Sequence, residues 1–195
     1  MANSNAVIAT RAFGLFYKTF VVGNALPADT VVYGTTPAGF SDVGYTDGGL
    51  TFGLDQTRNE IRVDQEFFPV ANPISEVTVT MGAELAEFTP ANLRLATGLG
   101  TLTTLAANAT VRGHDDLDIT SAFTDSFYTI LARIKQADGE VVNIALWKAL
   151  ATGSTSAAIT PDSPATIAVE YTGLVDTSTT PGRIATVRDV TPITV

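Results

Sequence analysis

From residue 76 to residue 85 polar and apolar side chains alternate. Val77, Val79, Met81, Ala83 and Leu85 point one way, and Glu76, Thr78, Thr80, Gly82 and Glu84 point the other. A period of two puts one row on each face of a β-strand, so one face is expected in a core and the other in water. Thr89-Pro90 follows, a capping residue ahead of Pro at the first helical position, and Gly98 supplies a C-terminal stop. A short helix is therefore predicted over 90–97. Helical periodicity is scarce elsewhere, and abundant Thr with Val, Ile, Phe and Tyr predicts a mainly β chain.

Residues 126–136 and 141–150 flank Asp138-Gly139, a favoured two-residue hairpin turn. With Ala137 opposite Glu140, Ile134 faces Asn143, Ala132 faces Ala145, Ile130 faces Trp147 and Tyr128 faces Ala149 on a core face. The reverse face pairs Lys135 with Val142, Arg133 with Ile144, Leu131 with Leu146, Thr129 with Lys148 and Phe127 with Leu150. Such a mixture of cations and large apolar groups is expected to lie against another surface. Further strands are predicted at about 165–174 and 184–190, at Val7-Ile8 and over 13–22, with short pieces at 50–52 and 61–63. The breaks at 24–49, 64–73 and 151–164 are too short to separate domains, so 1–195 reads as a single domain.

Charge and composition narrow the function. Eleven Lys and Arg against 20 Asp and Glu give a net charge of −9. That balance disfavours binding to duplex DNA or anionic membranes, both of which need clustered cations. Only 16% of residues are charged, which leaves a neutral exterior suited to burial against other protein. Without cysteine there are no disulfides, thiolate zinc sites or cysteine nucleophiles. Met1–Asn5 lacks a basic leader, and the apolar stretch 12–22 is short and contains Lys18, so a soluble chain without export signal is expected.

His114, the single histidine, lies in Gly113-His114-Asp115-Asp116-Leu117-Asp118. Asp115, Asp116 and Asp118 could serve a hard cation or acid/base chemistry, but the EF-hand spacing and its distal Glu are missing. A polar turn ahead of the strand at 126 is expected, with neither metal nor cofactor. Nucleophile-elbow, phosphate-loop and dinucleotide motifs are missing as well, so the chain reads as a non-enzyme. Asn108-Ala109-Thr110 reads as an ordinary loop and Trp147 as a core residue.

The stretch Phe40-Ser41-Asp42-Val43-Gly44-Tyr45-Thr46-Asp47-Gly48-Gly49-Leu50-Thr51-Phe52 is followed by a charged strand at 57–63, Pro69-Val70, the alternating strand and a helix ending Leu95-Ala96-Thr97-Gly98. This succession, over residues 37–98, resembles the major tail proteins of long-tailed bacteriophages. The resemblance implies a tail tube subunit: a β-sandwich or partly closed β-barrel with one short flanking helix and extended arms at 1–12 and 181–195. It also implies hexameric rings stacked into a hollow tube in the virion, made in the host cytoplasm. The implied partners are further copies of itself, tape-measure, tail-terminator and distal tail proteins, and genomic DNA that passes without specific binding; no membrane binding by this chain is implied.

In that family the loop between the two early strands reaches the next ring. This places the inter-ring contact at about 55–75, on Asp64, Glu66, Phe67, Phe68, Pro69 and Val70. Six copies at −9 each carry −54 per ring, and carboxylates facing the bore would repel phosphates. The lumen is expected to be lined by the polar rows Glu76, Thr78, Thr80, Glu84, Thr166, Glu170 and Thr172. The inter-subunit face is expected on Arg133, Lys135, Lys148, Leu131 and Leu146. The alternative is a soluble β-sandwich module for glycan binding or adhesion, which calls for exposed aromatics with Asp or Asn, or calcium ligands. A small hydrolase resting on His114 ranks last.

Overall fold

In the computed structural model, alternation and capping translate, among the described residues, into ten strands arranged in two sheets and one helix. The structure describes residues 9–121, 124–136, 140–153, 155 and 165–190. In chain order the elements are β1 (Ala9–Thr19), β2 (Ser41–Asp42), β3 (Thr46–Arg58), β4 (Ile74–Leu85), α1 (Pro90–Thr97), β5 (Thr101–Leu105), β6 (His114–Asp118), β7 (Tyr128–Gln136), β8 (Val141–Ala151), β9 (Ile167–Leu174) and β10 (Ala185–Val190). The main sheet runs β2-β1-β7-β8-β9-β4-β3, with β10 also on β8, and β5 and β6 form a separate hairpin. All pairings are antiparallel.

The helix has the predicted bounds for the predicted reasons. The Thr89 hydroxyl accepts the Asn92 N–H at 3.1 Å, Pro90 fills the first turn, and Gly98 adopts a left-handed φ of 68° so that its N–H reaches the Arg94 carbonyl at 2.8 Å. The Thr89 cap contributes about 1 kcal/mol. Leu95 and Ala96 turn into the core.

The first and last strands of the main sheet order, β2 and β3, are separated in sequence only by residues 43–45. Four residue steps span at most about 14 Å, so the sheet must curl until its two edges come close. The link is pinned throughout. The Val43 N–H donates to Leu15 and its carbonyl accepts from the Asn92 amide at 3.0 Å. The Tyr45 N–H donates to a Glu87 carboxylate oxygen and its carbonyl accepts from Ala86. Gly44 is favoured here by its left-handed φ of +84°, and it lets the Glu87 carboxylate come close to the backbone.

Inside the curl lie Leu15, Val79, Met81, Leu85, Ile130, Leu146, Ile167, Val169 and Tyr171, each 4% exposed or less. The alternation read over 77–85 is obeyed from Val79 onward. Val77 is 40% exposed, because β4 runs out past the end of the core.

The β7–β8 register differs from the expected one. Ala132 pairs with Ile144, Ile130 with Leu146 and Ile134 with Val142; only Tyr128 keeps its expected partner Ala149, after a bulge. The Gln136 N–H donates to the Glu140 carbonyl at 2.9 Å, where the expected register would set Ala137 opposite Glu140. Ala145 consequently joins Leu131, Phe16 and Phe40 in a second apolar cluster on the outer face. Trp147 is buried as expected but on that outer side, not opposite Ile130. Its indole N–H donates to Thr186 at 2.8 Å, and the Arg183 guanidinium lies 3.4 Å from its ring centroid.

Other expectations need amendment. Gly113–Asp118 is largely strand β6 rather than a turn, and its partner β5 was not foreseen. The short piece at 50–52 is the middle of a 13-residue strand, and 61–63 holds a single bridge, Ile61 to Ala71. Residues 9–12 belong to β1 and 185–190 to β10, so of the described parts of both presumed arms only 181–184 lie outside a strand. Val7-Ile8 and Asp138-Gly139 lie outside the described residues.

Asp176 and Arg183 close the turn between β9 and β10 through two backbone bonds and a 3.0 Å ion pair. Burial alone would raise the Asp176 pKa, but the Ser178 backbone N–H and hydroxyl and the Arg183 guanidinium outweigh it and hold the carboxyl below its ordinary range. A depressed native pKa contributes stability that is present above the unfolded value of about 3.9 and is lost as pH falls through the native value. Asp176→Asn is expected to cost about 2–3 kcal/mol in urea unfolding at pH 7, with the gap to wild type closing as pH falls below about 4. A gap that stays constant with pH would refute the charge assignment.

Candidate functional site

Three neighbouring strands build one continuous polar face. Thr80 pairs with Thr172, Gly82 with Glu170, Glu84 with Ala168, and on the other side Gly53 with Thr80, Thr51 with Gly82 and Asp47 with Glu84. Opposed residues of a sheet share a side, so Thr80, Glu84, Glu170 and Thr172 do come together. Thr78 and Glu76 continue the row outward, opposite Asp55 and Thr57. Thr166 precedes β9 and is half-buried.

The face is shallow and negative. It holds a depression of about 380 Å³ between Gly48, Thr51, Gly82, Glu84, Gly153 and Glu170. A Cβ on Gly53 would meet the Thr80 hydroxyl at 2.6 Å, and one on Gly153 the Glu170 Cβ at 2.9 Å, so close packing keeps this surface low. β4 and β9 contain no Lys or Arg, and β3 has only Arg58 at its far end. Asp47 directly opposite Glu84 is a like-charge pair that weakens a sheet. Stability does not account for it. Asp47, Asp55 and the glycines were missed in the sequence, because glycines in 46–53 hide the strand that carries them.

Beyond Leu54 the β3–β4 hairpin leaves the body as an arm. From Asp55 to Arg58 and from Ile74 to Val77 every residue is exposed, and the Ile61–Ala71 bridge carries the pairing farther. At its end Phe67 is 97% and Phe68 81% exposed. Val70 is exposed, Pro69 half-buried, and Asp64 and Glu66 flank them in water. Among the described residues, 8 of the 18 exposed large apolar side chains fall between Leu54 and Val77. Leu54, Ile61, Val63, Ile74 and Val77 extend the tip already picked out, a continuation that only the pairing of β3 with β4 makes visible. A bare two-stranded ribbon is marginal in water, and a concentrated apolar surface on it is unusual for a chain on its own.

The set Arg133, Lys135, Lys148, Leu131 and Leu146 does not form one open surface. Leu131 and Leu146 are fully buried in this chain, and Arg133 is 3% exposed. Residues 20–43 cover that face instead. Arg133 donates to the carbonyls of Val31, Val32 and Thr35 and to the Asn143 side chain. Burial pulls its pKa below the ordinary range, with Tyr33 opposing. Among the described residues no carboxylate forms an ion pair with it. Lys148 lies 4.5 Å from the Phe127 ring centroid, and Lys135 is exposed beside Tyr33.

His114 sits 3.3 Å from Asp116, both well exposed on the β5–β6 hairpin. Among the described residues there is no cluster of three His, Cys, Asp or Glu that could hold a metal, and no helix long and apolar enough to cross a membrane. Compared with protein-family models and with curated proteins, the sequence matches none of them.

Proposed function

We propose that this chain is a structural subunit of a phage tail tube, non-enzymatic, that forms hexameric rings stacked into a conduit for the genome. The observation that carries the reading is the β3–β4 arm, an apolar-tipped projection that only a neighbouring molecule would cover. The acidic face supports it further: small, closely packed and free of cations over β4 and β9, it suits a bore that must not hold DNA. On this reading the curled sheet whose edges meet at residues 43–45 is a partly closed barrel with α1 on its flank. Head-to-tail contacts between unlike surfaces build stacked, open-ended assemblies.

Negative-stain microscopy of the purified full chain tests the reading. Rings or hollow tubes of one diameter are expected, with Glu84 and Glu170 facing the bore at higher resolution. Solitary particles at every concentration would overturn it, and tubes with that face outward would remove the bore assignment while leaving the tube.

A further inference from the structure

A second exposed apolar feature lies on the outer face of the sheet, where β1 ends. There the chain turns tightly: the Asn24 N–H donates to the Val21 carbonyl at 3.2 Å, Gly23 takes φ +83°, and Val21 and Val22 are left 61% and 72% exposed. Beside this turn the Lys148 ammonium lies 4.5 Å from the Phe127 ring centroid and 5.7 Å from that of Phe20. Lys18, opposite Thr129 in the β1–β7 ladder, reaches the same face, its ammonium 4.4 Å from the Phe40 ring centroid. Both lysines are half-buried, and among the described residues neither forms an ion pair. Burial, and after it nearby Arg183, pull the Lys18 pKa below its ordinary range, while Arg183 is itself paired with Asp176. β1, β7 and β8 carry no carboxylate, and exposed Asp125, just ahead of Phe127, pairs with neither lysine. The arm tip is the complement. Asp64 and Glu66 are exposed beside Phe67 and Phe68 and have no ion pair among the described residues, whereas Glu60 is taken by Arg62.

We propose that this lysine-bearing patch receives the arm tip of a second copy, with Asp64 and Glu66 against Lys18 and Lys148 and the two tip rings against Phe20 and Phe127. The pairing rests on the stacking reading above and names the surface it needs. Free charges choose the partner. In a chain of net charge −9 unpaired cations are scarce, and here two lie together beside exposed apolar groups, as two unpaired carboxylates do on the tip. An ammonium over aromatic rings keeps its charge and gains further from a carboxylate. Strand sense keeps patch and tip apart within one chain. Five antiparallel pairings connect β1 to β3, an odd number, so β1 runs toward the patch while β3 runs the opposite way into the arm. A tip on a neighbour's patch therefore joins copies head to tail, and one patch and one tip stay free at the ends of a stack.

Charge exchange tests the pairing, with thermal melts to show that each variant is folded. Lys148→Glu is expected to need about a hundredfold more protein for end-to-end growth, as is Glu66→Lys, and the two together should recover most of that loss. Wild-type growth by Lys148→Glu, or a double variant as poor as the single ones, would overturn the pairing and leave the tube reading intact. The cysteine-free chain gives a second measurement that keeps every proposed contact. In Val22→Cys/Gln65→Cys, mild oxidation is expected to give a ladder of covalent dimers, trimers and higher bands on a non-reducing gel. Tubes whose chains stay single on that gel also overturn the pairing. A ladder from material without rings would keep the pairing and remove the ring reading.

Discussion

Phe67→Ala/Phe68→Ala is expected to yield a folded subunit that no longer forms tubes. Both rings project into water, so their removal leaves the core untouched, and surface changes of this kind shift stability by no more than about 0.5 kcal/mol. At an interface the same rings act as anchors. Truncating a buried aromatic anchor costs about 2 kcal/mol or more, so two in one arm cost about 4 kcal/mol, roughly a 10³-fold rise in the concentration needed for stacking. Repetition around a ring multiplies the loss. Thermal melts should match wild type within a degree or two, and micrographs should show no elongated particles. Normal tubes from this variant would exclude the tip as the contact.

Leu146→Ala is expected to act in the opposite way. Its side chain is fully buried between β7 and the rest of the core, and Leu-to-Ala changes at such sites cost about 3–5 kcal/mol. For a chain of this size that lowers Tm by about 6–20 °C. Assembly should survive at temperatures where the variant is still folded. If Leu146 lay on a docking face instead, the melt would be unchanged and assembly lost. The two variants together separate folding from association.

Local rules were legible in the sequence where one feature decided the outcome. The Thr89-Pro90 start and Gly98 stop set the helix, and alternation set the buried row of β4. The β7–β8 register could not be read the same way. β7 is buried on both faces over Tyr128–Arg133, so a slip of one residue leaves apolar groups on either side and the periodicity carries no warning. Likewise, residues 24–49 look like a break, yet Phe40 and the carbonyls that hold Arg133 make part of them the cover of the second cluster. β6 was missed because His-Asp-Asp-Leu-Asp lacks an apolar row, and β3 was read only at 50–52 because three glycines interrupt it. For the surfaces, the apolar tip stood out in the sequence. Its reach and the meeting of Lys18 with Lys148 on the outer face follow only from strand pairing.

β9 is the strand through which β8 and β4 are joined in the main sheet. During synthesis the ribosome releases β4 and its arm long before residues 167–174, so a nascent chain holds two half-sheets with nothing between them. The distant pairings of β1 with β7 and β4 with β9 make closure late and slow. An apolar hairpin is thus offered to other molecules for some time before the body that must carry it is complete. Translation speed up to residue 174 is therefore expected to bear on how many chains complete the curled sheet correctly.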